Sequence, residues 1–277
     1  MNSANQKNNP IPYTDFGRPV DPNYPTNRAI LIVMGASLII FGIKGWIGSK
    51  DILGALTTGF VIALEVFLAW AFTREIDPDH EYSAFASAAL TLAAAWALGP
   101  TALLPTAGWL LLARMLSQTT GSSPNRMDSL FLALFSFYAV WQLGGIYGLA
   151  LAAAFFLDGY FTPGKREHTA AGLILAALII YRWDFSFPPE ANSLYVCLTA
   201  AMVFIPLMAA SRTLNSVCDH YGNRLKPQRV QSAQIVSLAG ICLTVLFSPA
   251  GMVGSLPGLA SLLGAGVYNI WGMVTRQ

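Results

Sequence analysis

Charge is what this chain has least of. Of its 277 residues, 11% are Asp, Glu, Lys or Arg and 55% are hydrophobic, whereas soluble domains carry about 25% charged residues. That shortage excludes an ordinary water-soluble domain, and the mean hydropathy of +0.52 agrees. Cysteine is scarce as well. Cys197, Cys218 and Cys242 stand apart, with no CxxC and no His/Cys metal spacing, so neither a disulfide framework nor a structural zinc is expected. His80, His168 and His220 all fall in polar connectors, which argues against haem held by paired histidines within a bilayer. There is no GxxxxGK(S/T) phosphate loop, no HExxH, no GxSxG elbow and no Rossmann fingerprint. The net charge of +2 is dispersed over the connectors, so no nucleic-acid partner is expected.

What the chain does have is long apolar runs. Ten of them lie at 29–48, 53–73, 82–98, 101–117, 128–143, 145–161, 168–183, 193–211, 229–248 and 256–274. A helix crosses a bilayer with about 20 apolar residues, within a range of about 17–25. The fold class expected is therefore all-α, a polytopic transmembrane helix bundle of about ten spans arranged as five hairpins. Spans three to seven are at or below the short limit, and a thinned bilayer or partial crossing would accommodate them. The run at 82–98 holds eight alanines. Small side chains let backbones approach closely, so this helix is expected at the centre of the bundle. Gly99–Pro100, Gly144–Gly145 and residues 248–251 mark tight turns between antiparallel helices. Residues 1–27 read as a cytoplasmic, partly disordered tail rather than a signal peptide, and 28–277 as one transmembrane domain.

The sequence also orients the bundle. When alternate connectors are grouped, one group and both termini hold 13 of the 16 Lys and Arg residues; only Lys44, Lys50 and Arg182 fall on the other side. Short basic loops stay in the cytoplasm, so both ends are expected there, in a cytoplasmic-type (inner or plasma) membrane. Five alternate spans are preceded by a proline and then a basic residue or histidine: Pro25/Arg28, Pro78/His80, Pro124/Arg126, Pro163/Lys165 and Pro227/Arg229. These read as helix starts at the interface, because proline at the first turn loses no helical hydrogen bond. Duplication of an ancestral hairpin is the alternative.

Glu65 is the ionisable residue deepest in an apolar run. A carboxyl group at the bilayer centre costs about 2.5–3.5 kcal/mol to insert, so it must be protonated, partnered or turned to the interior, and it is a candidate proton or cation site. Gln142, Gln234 and Asn269 read as interhelical hydrogen-bonding groups. Residues 74–82, REIDPDHEY, alternate Asp77, Asp79 and Glu81, which offers carboxylates to a hard cation such as Mg²⁺ or, more simply, acidic groups to the next helix N-terminus. In 212–229, RTLNSVCDHYGNRLKPQR, Asn215, Asp219 and Asn223 are spaced to share one helical face. Asp77, Asp79, Glu81, Asn215 and Asp219 together form a possible metal or phosphate face at the cytoplasmic end.

The Asn215/Asp219/Asn223 spacing resembles the NxxxDxxxD motif of UbiA-type prenyltransferases, all-helical membrane enzymes of about this length. The resemblance implies Mg²⁺ held on a prenyl diphosphate. It covers about nine residues. Asn223 replaces the last aspartate, the motif follows the eighth span instead of the second, and no second DxxxD is present. Ten spans with both ends inside also resemble the drug/metabolite transporter superfamily, in architecture alone.

Three functional readings follow. The first is a small-solute carrier or channel with Glu65 as proton or cation site; the second is a non-catalytic subunit or scaffold of a membrane complex, with protein partners. The third is a Mg²⁺-dependent membrane enzyme acting on a lipid-linked phosphate. The balance leans away from an enzyme. Membrane lipid is the one partner all three share, and no cofactor or metal is named by the sequence.

Overall fold

The α1–α2 hairpin sets the frame of the molecule, a computed structural model that describes residues 14, 17–18, 20–184, 189–219, 221–248 and 251–275. Helix α1 (Pro25–Ser49) opens with proline at its first turn and ends where Lys50 turns left-handed (φ 58°). Asp51 then caps α2 (Ile52–Ile76) by accepting from the N–H groups of Leu53 and Gly54. The helices that follow are α3 (Ser83–Leu98), α4 (Leu103–Ser117), α5 (Arg126–Leu143), α6 (Gly145–Phe161), α7 (Arg166–Tyr181), α8 (Ala191–Ala210), α9 (Pro227–Phe247), the single turn α10 (Gly251–Gly254) and α11 (Leu256–Thr275). Among the described residues there is no strand, only an isolated bridge between Val217 and Arg224.

Each predicted apolar run is one helix. Four of them, α1, α2, α8 and α9, are long and apolar enough to cross a membrane. Helices α3, α4, α6 and α7 have 16, 15, 17 and 16 residues, and α5 has 18. At about 1.5 Å per residue these reach roughly 22–27 Å, short of a hydrocarbon core of about 30 Å. Large apolar side chains are exposed around the bundle, including Ile39 and Ile47 on α1, Leu53 on α2, Leu134 on α5, Ile180 on α7 and Met202 on α8. A surface of that kind suits lipid and not water.

Connectivity departs from five side-by-side hairpins. Helices α1 and α2 pack along each other, as do α6 and α7, but α3 does not pair with α4, nor α7 with α8. Instead α4 inserts among α2, α6 and α9, while α3 lies against α2 and α11, and α8 against α11 and α9. The central helix is α2, not the alanine-rich α3. From Ala69 to Ile76 every residue of α2 is buried. Helix α3 buries a single stripe, Ser83, Ala84, Ser87, Ala88, Thr91 and Ala95, and leaves Leu90, Trp96 and Leu98 exposed. Its small residues do serve close approach, but on one side only. A Cβ on Gly264 of α11 would lie 2.7 Å from the Ser87 Cα.

The 74–82, 117–125, 161–165 and 211–226 connectors and the described part of the N-terminal tail touch one another at one end of the bundle. The end of α11 reaches the same place, its Tyr268 ring 5.8 Å from that of His80. This basic end carries the polar chemistry of the molecule.

Replacing Gly264 by valine should wedge α11 from α3 at a backbone contact that cannot yield. The expected loss is about 1–3 kcal/mol, read as a lower melting temperature of the detergent-purified protein, whereas Gly272→Ala, where a Cβ meets nothing within 4 Å, should leave melting unchanged.

Candidate functional site at the basic end

Two polar clusters occupy this end, and each is built around one buried carboxylate. Burying an ionised group is tolerable only with charged or hydrogen-bonded partners, and both carboxylates have several. Glu75, in the last turn of α2, has no solvent exposure. Its Oε1 accepts from Arg114 Nε and Nη2 of α4, both at 2.8 Å. Its Oε2 accepts from Ser117 Oγ at 3.4 Å and from the Thr119 hydroxyl. Arg18 of the tail lies 3.9 Å from Glu75 and makes two parallel bonds to Asp219, Nε–Oδ2 at 2.7 Å and Nη2–Oδ1 at 3.0 Å. Asp219 in turn donates its N–H to Thr119 O at 3.1 Å. One tail arginine thus joins α2 to the α8–α9 connector.

Arg74, one residue before Glu75, lies over the Trp70 ring at 5.4 Å, donates to Thr26 Oγ1 at 3.2 Å and approaches Glu81 at 3.8 Å. Tyr24 donates its hydroxyl to the same Glu81 carboxylate. Between these groups is a chamber of about 840 Å³ lined by Arg18, Tyr24, Arg74, Glu81, Asn215 and Asp219. Arg18, Asn27 and Arg74 also line a deeper cavity of about 120 Å³ whose other walls are Arg114, Phe67, Trp70 and Leu110. Three guanidinium groups therefore meet where the polar chamber turns apolar.

The residues expected from sequence divide here. Glu81, Asn215 and Asp219 line the chamber. Asp79 clamps the two connectors together, accepting from Asn215 N–H at 3.1 Å, Ser216 N–H at 2.9 Å and Ser216 Oγ at 2.5 Å. Asp77 turns away, buried against His80 Nδ1 at 2.9 Å. Asn215, Asp219 and Asn223 do not share a helical face, because 211–226 is not helical. Asp79 holds its first N–H groups, and the Cys218 N–H donates to Asn223 O at 2.8 Å, folding it into a turn with Gly222 at φ 66°. Among the described residues no three His, Cys, Asp or Glu side chains are grouped to hold a metal ion. The carboxylates face arginines and N–H groups, not one another.

Glu65 is far from this end. Midway along α2 and 1% exposed, it accepts from the N–H and, at 2.8 Å, the hydroxyl of Thr101. It therefore fastens the α3–α4 turn beside the middle of α2, and it lines neither cavity. Gln234 does bond between helices, donating to Ile76 O at 2.7 Å and Ser211 Oγ at 2.8 Å. Gln142 is exposed, and Asn269 is buried in α11.

The second cluster was not expected from sequence. Asp158, near the end of α6, and His168, in the first turn of α7, are both fully buried. Asp158 Oδ1 accepts from Arg229 Nη1 at 2.8 Å and Gln118 Nε2 at 3.3 Å, and Oδ2 meets His168 Nδ1 at 2.7 Å. The other ring nitrogen, Nε2, is 2.8 Å from Ser129 Oγ of α5. Arg229 continues to Leu116 O and Thr162 Oγ1. Five helices, α4, α5, α6, α7 and α9, are linked through this one aspartate. Asp158 lay inside an apolar run, the signal that could have disclosed it, because a carboxylate there requires a partner. His168 and Arg229 read as ordinary connector residues, and His220 lies outside the described residues.

No protein-family model, curated protein or solved structure matches this chain.

Arg114→Met should strand the Glu75 carboxylate and cost about 3–5 kcal/mol; adding Glu75→Gln should restore part of that loss in a double-mutant cycle on the purified protein. Burial pushes the Asp77 carboxyl above its ordinary value, with His80 opposing the shift. The folded state therefore holds this proton more tightly than the unfolded chain. Its contribution to stability is fully present below about pH 4 and is lost as pH rises through the elevated value. Asp77→Asn should flatten that part of the melting-temperature profile.

Proposed function

We propose that this is a multi-pass integral membrane protein whose ten long helices all enter the bilayer, with the basic end in the cytoplasm, and that it binds the anionic headgroup of a membrane lipid in the chamber at that end. The observation that carries this reading is the sharing of Arg18, Asn27 and Arg74 by the polar chamber and by the deeper cavity walled by Phe67, Trp70 and Leu110. A ligand seated there puts its charge among guanidinium groups and its apolar part against α2 and α4. Arginine suits this task, since its planar fork pairs with phosphate or carboxylate oxygens. Each chamber arginine already faces a protein carboxylate, so an incoming phosphate exchanges one anion for another and no bare charge is left when the site empties.

The Lys/Arg distribution supports the orientation, because the connectors that meet at the basic end are those that hold 13 of the 16 basic residues with the termini. A carrier that moves protons through Glu65 has less support, since that carboxylate is occupied by Thr101 and faces neither cavity. A scaffold role within a larger assembly is compatible with lipid binding at this site.

The test uses the full-length protein in phosphatidylcholine nanodiscs titrated with phosphatidic acid. Saturable binding is expected, and Arg74→Gln should weaken it at least tenfold, the equivalent of one charged hydrogen bond of about 1.5–3 kcal/mol. Binding that ignores the phosphate, or that Arg74→Gln leaves intact, would refute the proposal.

A further inference from the structure

The chamber leaves the Asp158 cluster unexplained, and that cluster holds a reactive arrangement. Ser129 Oγ, His168 Nε2, His168 Nδ1 and Asp158 Oδ2 form one continuous line, with contacts of 2.8 Å and 2.7 Å across the imidazole. We propose that Ser129, His168 and Asp158 are a nucleophile–base–orienter triad that cleaves the acyl ester of a membrane lipid.

Geometry gives each residue its role. Asp158 accepts a hydrogen bond from His168 Nδ1–H, which leaves Nε2 to accept from the Ser129 hydroxyl. Arg229 occupies the other Asp158 oxygen at 2.8 Å and fixes that carboxylate in place. Ser129 Oγ has a second neighbour, Asn125 O at 2.8 Å, so its proton rests on either acceptor and is transferred from the rotamer aimed at Nε2.

A buried hydrogen-bonded serine alone would be a structural cross-link. Ser129 differs because it lines a groove of about 590 Å³ between α5 and α7. The groove is polar at one end only, where Arg126, Glu167 and Ser129 stand, and apolar beyond, along Leu134, Phe137 and Ile174. That gradient fits one occupant. The acyl chain of a lipid lies along α5 and α7, its ester reaches Ser129, and its anionic head meets Arg126 at the basic end. Hydrogen-bonded triad and matched groove are independent features that coincide at one residue, Ser129.

The reaction balances with water as the only co-reactant. Ser129 Oγ bonds to the ester carbonyl carbon as its proton passes to His168 Nε2. The bond from that carbon to the alkoxy oxygen breaks, and Nε2 returns the proton to the departing alcohol. A water entering at the polar mouth gives a proton to Nε2 and its oxygen to the acyl carbon; the Oγ–acyl bond breaks and Ser129 recovers its hydrogen. The products are a lyso-lipid and a fatty acid. His168 and Ser129 touch the reacting atoms; Asp158 and Arg229 are positioning residues.

The experiment treats full-length protein in phosphatidylglycerol nanodiscs with an alkyl fluorophosphonate probe, with peptide mapping, and follows fatty-acid release in parallel. Covalent labelling of Ser129 and fatty-acid release are expected, and Ser129→Ala, which removes one oxygen and retains the packing, should abolish both. His168→Gln should lower release by at least about a thousandfold. An unlabelled, inactive wild-type protein with a normal melting curve overturns the proposal, as does labelling or release that persists in Ser129→Ala. The groove is tested separately with Ala171→Trp. Loss of lipid cleavage with retained hydrolysis of a soluble butyrate ester supports a lipid substrate; retention of both overturns that assignment.

Discussion

Glu75 is a carboxylate with no access to water in the wholly buried last two turns of α2, and the rest of the basic end is arranged to make that position tolerable. Arg114 answers it from α4, hydroxyls answer it from the segment that follows, and Arg18 approaches from the tail while holding Asp219. An isolated buried charge costs several kcal/mol even after relaxation, so none of these elements is free to move without exposing that cost. Asp158 repeats the device at the same end of the bundle, with Arg229 and His168 as its partners. Lipid-facing helices gain little from the hydrophobic effect when they associate, because neighbouring lipid is equally apolar. Directional polar contacts at one end, and close backbone approach such as Gly264 on Ser87, supply the specificity that hydrophobicity cannot.

This division of labour also separates the two places where chemistry is available. The chamber around Arg18 and Arg74 is open and rich in exchangeable ion pairs, properties of a binding site. The Ser129–His168–Asp158 line is buried, and of its three residues Ser129 lines the groove between α5 and α7. Both are at the same end and both pair a polar entrance with an apolar continuation.

The helices were legible in the sequence almost residue by residue, since a run of apolar side chains in a low-charge chain has few other uses. Their partners were not. In α2 nearly every face is apolar, so no stripe announces which helices surround it, and the alanine content of α3 marked close approach without saying that only one side used it. Tight turns suggested hairpins, yet Glu65 draws the α3–α4 turn to the middle of α2, and α4 then packs with α2, α6 and α9. In the candidate site, Glu81, Asn215 and Asp219 were recognisable as polar residues on the correct connectors. Glu75 read as part of the solvated 74–82 connector, whereas Arg114 and Asp158 lay inside apolar runs with nothing local to name their partners. The coming together of Ser129, Asp158 and His168, 39 and 10 residues apart from the histidine, depends on tertiary packing that no local pattern records.

Four connectors and the described part of the N-terminal tail meet at one end of the bundle, and the proposed topology puts that end on one side of a membrane that ten helices enter. Single cysteines introduced into a cysteine-free background, at Tyr24, Tyr82, Tyr160 and Tyr221 on one end and at Trp46, Ile52 and Tyr181 on the other, all exposed positions, would be challenged with a membrane-impermeant maleimide in intact cells and in inverted vesicles. The account requires the first four to react only in inverted vesicles and the last three only in intact cells. Reaction of Tyr24→Cys and Tyr221→Cys from opposite sides would contradict it, because Arg18 and Asp219 could not then share an ion pair.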